Sequence, residues 1–290
     1  MILISILVVV LIILIYTFYR TMKLVYGLYI PKNYQYTINS NASITYKKFD
    51  FKAKDGLVLK GIDYKPKMQA RGTILVCHFF GGAKEAILPF VDFLLKVGFR
   101  VLSFDFRNHG ESGRSDSLKV SLLNDFSAFY ETIKAAGIEE PVGIMGFSMG
   151  STPALIALNE YPEIKAAVID SGPMILVKEY FLYVLNNKNI KNPVYRVLFL
   201  LVYLYYVGFL RLSKQTIEIL KKNKQKPVMF IHGEKDNIIS IKNSEVAVSY
   251  LSSSHSSLWR IPNSRHLTNR FVEPILYENK VTQFFLQNLS

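Results

Sequence analysis

Gly146-Phe147-Ser148-Met149-Gly150 stands between the apolar run Val142-Gly143-Ile144-Met145 and a segment, Thr152 to Tyr161, whose residues Ala154, Leu155, Ala157 and Leu158 share one helical face. A G-x-S-x-G at a strand-to-helix crossing is a nucleophile elbow, a turn so sharp that the serine takes a strained backbone conformation. Side chains at 146 and 150 would collide where strand and helix cross, which is why both positions are glycine. Ser148 is thereby lifted clear of its neighbours at a helix N-terminus, where backbone N–H groups favour developing negative charge. The pentapeptide alone is common by chance. Its setting is what constrains the fold.

Ile44 to Phe51 and Leu57 to Tyr64 alternate in polarity around Lys54-Asp55-Gly56 and predict a hairpin with one buried face. Thr73 to Cys77 reads as a strand buried on both faces, because its apolar residues are continuous. Helical patterns follow at Lys84 to Val97 and Leu118 to Ala136, stopped by Gly98 and Gly137, with a strand at Arg100 to Phe104 between them. After the elbow come a strand at Ala166 to Ile169 and, beyond Lys226, a strand at Val228 to Ile231 and a helix at Lys242 to Leu251. A strand at Ser257 to Ile261 and a helix at Glu273 to Leu289 close the chain. Such alternation predicts an α/β core over 44–172 and 226–290: a mainly parallel sheet with an antiparallel N-terminal hairpin and helices on both faces. Chemistry in these sheets gathers beyond the carboxyl ends of the strands.

Residues 173–225 break the alternation with Met174 to Leu185 and with Val197 to Leu210, which is almost wholly apolar and rich in Tyr and Phe. A helical lid and a second membrane span are the two readings. The lid is favoured, because the run is shorter than the roughly 17 residues a span needs and a span would have to leave and re-enter one core. The outer face of such a lid would suit a bilayer surface.

Ile2 to Tyr19 is apolar except for Ser5 and Thr17 and carries no charge. It matches the roughly 20 residues that cross a hydrocarbon core. A cleaved signal peptide fits poorly, since no basic residue precedes the run and no small-x-small site follows it. Arg20, Lys23 and Lys32 come after it, so the positive-inside rule predicts a single-pass membrane anchor over 2–19, a connector over 20–43, and a cytoplasmic domain beyond. Tyr16, Phe18, Tyr19, Tyr26 and Tyr29 lie where an interfacial aromatic belt is expected. The formal charge, 35 − 22 = +13, is scattered, with Lys47, Lys48, Lys52 and Lys54 early and Lys221, Lys222, Lys224 and Lys226 late. No nucleic-acid fold signature accompanies it, so nucleic acid is not an expected partner; a solvated basic face and an anionic membrane surface are the readings left. Cys77 is the sole cysteine, which excludes an internal disulfide and reads as a small core residue.

A serine hydroxyl needs a base within hydrogen-bonding reach, usually a histidine oriented by a carboxylate. Context separates the five histidines. His78 ends the first buried strand before Phe79-Phe80-Gly81-Gly82, His109 sits in Asp105 to Ser112, His232 ends a strand, and His255 lies in a serine-rich loop. His266 follows the last strand in Pro262 to His266, a loop able to swing over the elbow, and is the expected base. The carboxylate should leave a strand between elbow and base. Asp236, beyond the Gly233 turn, is favoured over its neighbour Glu234 and over Asp170, which reads as a strand-end capping residue. Asp105, Arg107 and His109 read as a hydrogen-bonded turn bracing the neighbouring loops.

With these residues together, the chain resembles the α/β-hydrolase superfamily, in the branch of serine aminopeptidase-like and monoacylglycerol-lipase-like enzymes. The similarity runs from about Ile44 to the C-terminus, apart from the lid region. It is carried by the elbow, the acid loop ending at Asp236, the His266 loop, the His78 loop and an Asp105-to-Ser112 stretch similar to the family's D-x-R-x-x-G-x-S turn, in the order Ser, Asp, His. The resemblance implies the α/β-hydrolase fold, a catalytic triad of Ser148, Asp236 and His266, and an oxyanion hole made by the N–H groups of Met149 and Phe80. One departure stands out. The family usually has glycine after the equivalent of His78, and here it is Phe79; a glycine-only conformation there would turn the Phe80 amide away, unless Gly81-Gly82 absorbs the change.

The expectation is therefore a membrane-anchored serine hydrolase cleaving an ester of a small-molecule or lipid-like, acylglycerol-type substrate. A serine peptidase or amidase acting on short peptides is the alternative within enzymes, and a catalytically silent scaffold the alternative outside them. Nothing in the sequence calls for a metal, nucleotide or redox cofactor, and it carries no signal for acyl-chain length or oligomeric state.

Overall fold

The predicted hairpin opens the sheet. The computed structural model describes residues 2–31, 34, 36–38, 44–115, 122–138, 140–207, 209–223, 225–251 and 256–289, with 3, 24–25, 28–29, 202–207 and 209 by backbone alone. Strands β1 (Thr45–Lys52) and β2 (Val58–Lys65) pair antiparallel in register from Thr45↔Lys65 to Lys52↔Val58. Gly56 makes their turn at φ +83°, where a Cβ would be strained. Then come β3 (Thr73–Cys77), β4 (Arg100–Phe104), β5 (Val142–Phe147), β6 (Ile164–Asp170), β7 (Val228–Gly233) and β8 (Ser257–Ile261).

Among the described residues the strands form one sheet in the order β1-β2-β4-β3-β5-β6-β7-β8. β2 runs antiparallel to β4, and β4, β3, β5, β6, β7 and β8 are mutually parallel. The chain steps outward from β3 to β4 and then back across to β5. The carboxyl ends of β3 and β5 therefore flank the point where connections diverge, the usual place for a site in such sheets. There β3 delivers His78 and β5 delivers Ser148.

Every residue of β3 and β5 is buried, which explains their unbroken apolar runs. Successive side chains divide between two layers. Leu75, Ile144 and Ala167 face α3 (Leu122–Ala135) and α4 (Ser151–Glu160), while Ile74, Met145 and Val168 face α2 (Leu88–Lys96) and α10 (Pro274–Asn288). Two short helices, α8 (Lys242–Ser249) and α9 (Asn269–Val272), complete the core.

The helix expected from Lys84 begins only at Leu88. Pro89 sits in its first turn, where its missing N–H is harmless, and Lys84 is drawn into a preceding turn by Asp105. Of the helix expected from Leu118, positions 118–121 lie outside the described residues, as do His255 and parts of the connector, including Lys32 and Asn41.

The N-terminal helix α1 spans Ile2–Tyr29, ten residues beyond the expected end at Tyr19. Nothing in Arg20 to Tyr29 breaks a helix until Pro31 restricts the residue before it. Its Ile4–Lys23 window has a mean hydropathy of 2.2 and is almost wholly unburied, and among the described helices it alone has the length and composition to cross a membrane. Between β6 and β7 the insertion folds into α5 (Val177–Asn187), α6 (Pro193–Val207) and α7 (Phe209–Lys222). At 15 residues, α6 is about 22 Å long, short of a hydrocarbon core of about 30 Å. Val177, Phe181, Val184 and Leu185 of α5 and Phe199 of α6 form one apolar cluster with Met22 of α1 packed against it, while Leu220 of α7 is buried in the main core.

Candidate active site

β5 ends in the strained turn that its sequence calls for. Ser148 has φ +48°, and a short 3-10 turn, Ser148–Gly150, leads into α4. A Cβ on Gly146 would lie 2.7 Å from the Gly150 carbonyl oxygen and 2.8 Å from Ala154 Cβ, and one on Gly150 would run into the Cys77 carbonyl. Both glycines are thus demanded by close approach, the second because the elbow rests on the end of β3.

The Ser148 hydroxyl lies 2.8 Å from His266 Nε2, and His266 Nδ1 lies 2.7 Å from Asp236 Oδ2. With Nδ1 donating to the carboxylate, Nε2 is left to accept from the serine. The other Asp236 oxygen, Oδ1, accepts the N–H groups of Ile238 and Ile239, each at 2.9 Å. Burial would push this carboxyl up, but hydrogen bonds from His232, His266 and the Ile239 amide hold it well below the usual carboxylate range. His266 comes from the β8–α9 loop, where Leu267 has φ +58° and donates its N–H to Ser171 Oγ at 3.1 Å. Ser148, Ser171 and Leu267 all hold left-handed backbone near one point, the clustering of strain usual at functional sites.

The two rival carboxylates lie elsewhere. Asp170 is buried and accepts from Tyr277 Oη at 2.7 Å and from Ser171 Oγ and Asn269 Nδ2 at 2.8 Å, which ties β6 to α9 and α10. Burial raises its carboxyl, and those hydrogen bonds oppose the rise. Glu234 is exposed.

His78 is a strut. Its Nδ1 donates to Phe79 O at 2.8 Å and its Nε2 accepts from the Phe106 N–H at 3.0 Å, while burial, aided by Lys84, pushes its pKa down to about 4. His109 Nδ1 lies 2.9 Å from Arg107 O, and burial followed by the neighbouring His78 takes its pKa to about 3. Both rings are neutral at physiological pH. Arg107 is held by Asp125 and Asp55, so the Asp105-to-Ser112 stretch is a bracing turn. Burial raises the Cys77 thiol far from the reactive range, in keeping with a core residue.

The loop after His78 resolves the departure at Phe79. The left-handed residue is Gly81 (φ +76°) and not Phe79, so phenylalanine is accommodated without strain. Gly82 N–H donates to Phe79 O at 3.0 Å, closing a turn with Phe80 at its tip and half-exposed. Met149 lies in the opening 3-10 turn, whose first N–H groups have no intrahelical acceptor.

Three contacts had no local signal in the sequence. The wholly buried Lys84 bonds Asp105 Oδ2 at 2.9 Å and Glu111 Oε2 at 2.6 Å, locking the β3 and β4 loops together. His232 Nε2 lies 3.3 Å from Asp236 Oδ2. Tyr36, in the connector, donates its hydroxyl to Gly81 O at 2.9 Å. Among the described residues, no cluster of His, Cys, Asp and Glu is placed to hold a metal ion.

Comparison with known proteins agrees with this architecture. The family model of the serine aminopeptidases (S33) matches residues 68–207, a span that includes the elbow and ends before Asp236 and His266. The thiohydrolase aneE of Aspergillus aculeatus is 31% identical over 122 residues, covering 40% of this chain and 38% of that protein, so the match spans well under half the relative's length. The monoglyceride lipase of Saccharomyces cerevisiae is 25% identical over 247 residues, covering 68% of this chain and 78% of its own. The esterase Pf2001 of Pyrococcus furiosus superposes with a TM-score of 0.73 at 22% identity over 90% of this chain and 100% of that one. The sheet order, the elbow and the structural likeness show the α/β-hydrolase fold, and over the matched residues the chain is similar to serine aminopeptidase-like and monoacylglycerol-lipase-like enzymes.

Proposed function

We propose that the protein is a membrane-anchored serine hydrolase that cleaves carboxylic esters of lipid-like substrates. The observation that carries this reading is the hydrogen-bonded chain from the Ser148 hydroxyl through His266 to Asp236. Ser148 Oγ attacks the acyl carbonyl carbon while His266 Nε2 takes its proton. Asp236, kept ionised by its hydrogen bonds, orients the ring and stabilises the imidazolium. The N–H groups of Met149 and Phe80 receive the oxyanion of the tetrahedral intermediate. On its collapse His266 returns the proton to the leaving alkoxide, leaving an acyl-enzyme. A water molecule, deprotonated by the same histidine, then releases the acid and restores Ser148.

The apolar α1 and its packing against the inserted helices support the lipid assignment. With Arg20 and Lys23 following its uncharged apolar stretch, α1 holds the hydrolase domain on the cytoplasmic side, and α5 to α7 act as a lid whose apolar outer residues Val194, Val197 and Leu201 meet the bilayer. A lipase and an esterase among the similar proteins fit the same chemistry. The test is labelling by a fluorophosphonate probe, expected for the wild type and lost in Ser148→Ala, followed by assays on short and long acyl esters with and without vesicles. Lack of labelling in the wild type would point to a silent scaffold, and equal rates with and without vesicles would remove the lipid role. The aminopeptidase family model favours one second reading, an amidase; faster turnover of aminoacyl amides than of matched esters would establish it.

A further inference from the structure

Outside α1, large apolar side chains left exposed to water gather at one edge of the molecule. All parallel strands point the same way, so the segments that follow β3, β6 and β8 emerge on a common side. Exposed there are Phe80 after β3, Leu182, Val197 and Leu201 after β6, and Phe271 and Ile275 after β8. The opposite edge presents few, among them Met68 before β3 and Leu286 near the end of α10.

The group after β8 is not explained by the site or by the insertion. Ile275 is 77% exposed and Phe271 58%, with Val272 and Leu276 beside them. Rigid structure holds them outward: Arg270 pairs with Asp92 and Glu278 and bonds Pro89 O, which pins α9 to α2, and Phe271 packs edge-on against Phe90 at 5.3 Å. An apolar patch on so fixed a frame is a docking surface and not a loop awaiting a core. The connector identifies what it docks on. Tyr36, Thr37 and Ile38 line the same cleft of ≈ 590 Å³ as Phe271 and Pro274. Tyr36 comes only seven residues after α1 ends, at most about 25 Å of extended chain.

We infer that Phe271, Val272, Ile275 and Leu276 form a second lipid-contacting patch, which seats the carboxyl edge of the sheet flat on the bilayer that α1 enters. The inference rests on the reading of α1 as a membrane anchor and deepens it. With α1 and the insertion gripping on one side and this patch on the other, the mouth above Ser148 faces the lipid surface. A substrate then passes from membrane to site without crossing water.

The test uses the full chain in phosphatidylcholine vesicles containing a doxyl-labelled lipid quencher. Ile12→Cys, Ile275→Cys and Met68→Cys are each labelled with an environment-sensitive dye, the native Cys77 being fully buried. Quenching at 12 and 275 with none at 68 is expected. Quenching at 12 alone overturns the patch and leaves the anchor standing, an outcome that a self-association surface would also give. Quenching at neither overturns both, and quenching at all three shows adsorption without a preferred edge and overturns the patch. In parallel, Ile275→Asp should lower hydrolysis of a vesicle-borne ester about tenfold and leave a short soluble ester unaffected. Equal loss on both substrates would also overturn the proposal.

Discussion

Around Ser148 the polar side chains are tied into directional contacts, whereas α5 and α6 rest mainly on a small apolar cluster. On the first side Asp236, His266, His232, Asp170 and Lys84 each hold partners at hydrogen-bonding or ion-pair distance. On the second, Phe181 stacks on Phe199 at 5.6 Å, and the polar ties to the core among the described residues include Asn243 Oδ1 accepting the N–H groups of Ile175 and Leu176 and Ser213 donating to Ile175 O. The two designs respond differently to change. A directional network fails when one member shifts by an ångström, while apolar packing tolerates exchange of volume for volume.

Removing a member of the directional chain should have the largest effect. Ser148→Ala, His266→Ala and Asp236→Asn are each expected to lower kcat by about 10⁴-fold or more, with circular dichroism unchanged. A loss below a hundredfold at His266 would assign the base elsewhere.

Next is the apolar side. Phe199→Ala should cost about 3–5 kcal/mol of packing, felt in the insertion, because Phe199 is fully buried in that cluster. Limited proteolysis within 177–222 should accelerate while the probe still labels Ser148. Loss of labelling would mean that the two regions form one cooperative unit, and the contrast drawn above would break.

Acid should act on the polar side. His78 is neutral and buried with a pKa of about 4 against an ordinary 6.5, so the unfolded chain takes up a proton that the native one refuses. That contribution is complete above pH 6.5 and is lost as pH falls towards 4, on the order of 3 kcal/mol in all. Thermal scans over this range should show a shallower decline in His78→Asn than in the wild type.

The smallest effect is expected at the joint between the connector after α1 and the site. Tyr36→Phe removes one hydrogen bond to the Phe80 loop, worth about 1 kcal/mol, and should lower kcat several-fold with KM unchanged. A change confined to KM would instead place Tyr36 in substrate binding.

What was legible beforehand follows from locality. The hairpin, the buried strands on either side of the site and the elbow depend on patterns of five to eight residues, and they appear with boundaries shifted by two positions at most, β3 by none. The overrun at Lys84 had a readable warning in Pro89, whereas its physical cause, the bond from Asp105, lies 21 residues away. The choice among Asp170, Glu234 and Asp236 could only be ranked, because all three stand at the ends of strands. Distance to His266 separates them, and that distance belongs to the packed β8–α9 loop.

Residue types and their spacing were enough to specify an alternating sheet, a serine on a strained turn and an apolar N-terminal helix, since each is a preference of the backbone or of solvent expressed within a few turns of chain. Folding in three dimensions alone settled which carboxylate meets which imidazole, that Lys84 is sealed inside, that the connector grips the loop bearing Phe80, and that exposed apolar groups share an edge. Those relations join segments tens to more than a hundred residues apart, and no local preference encodes a distance of that kind.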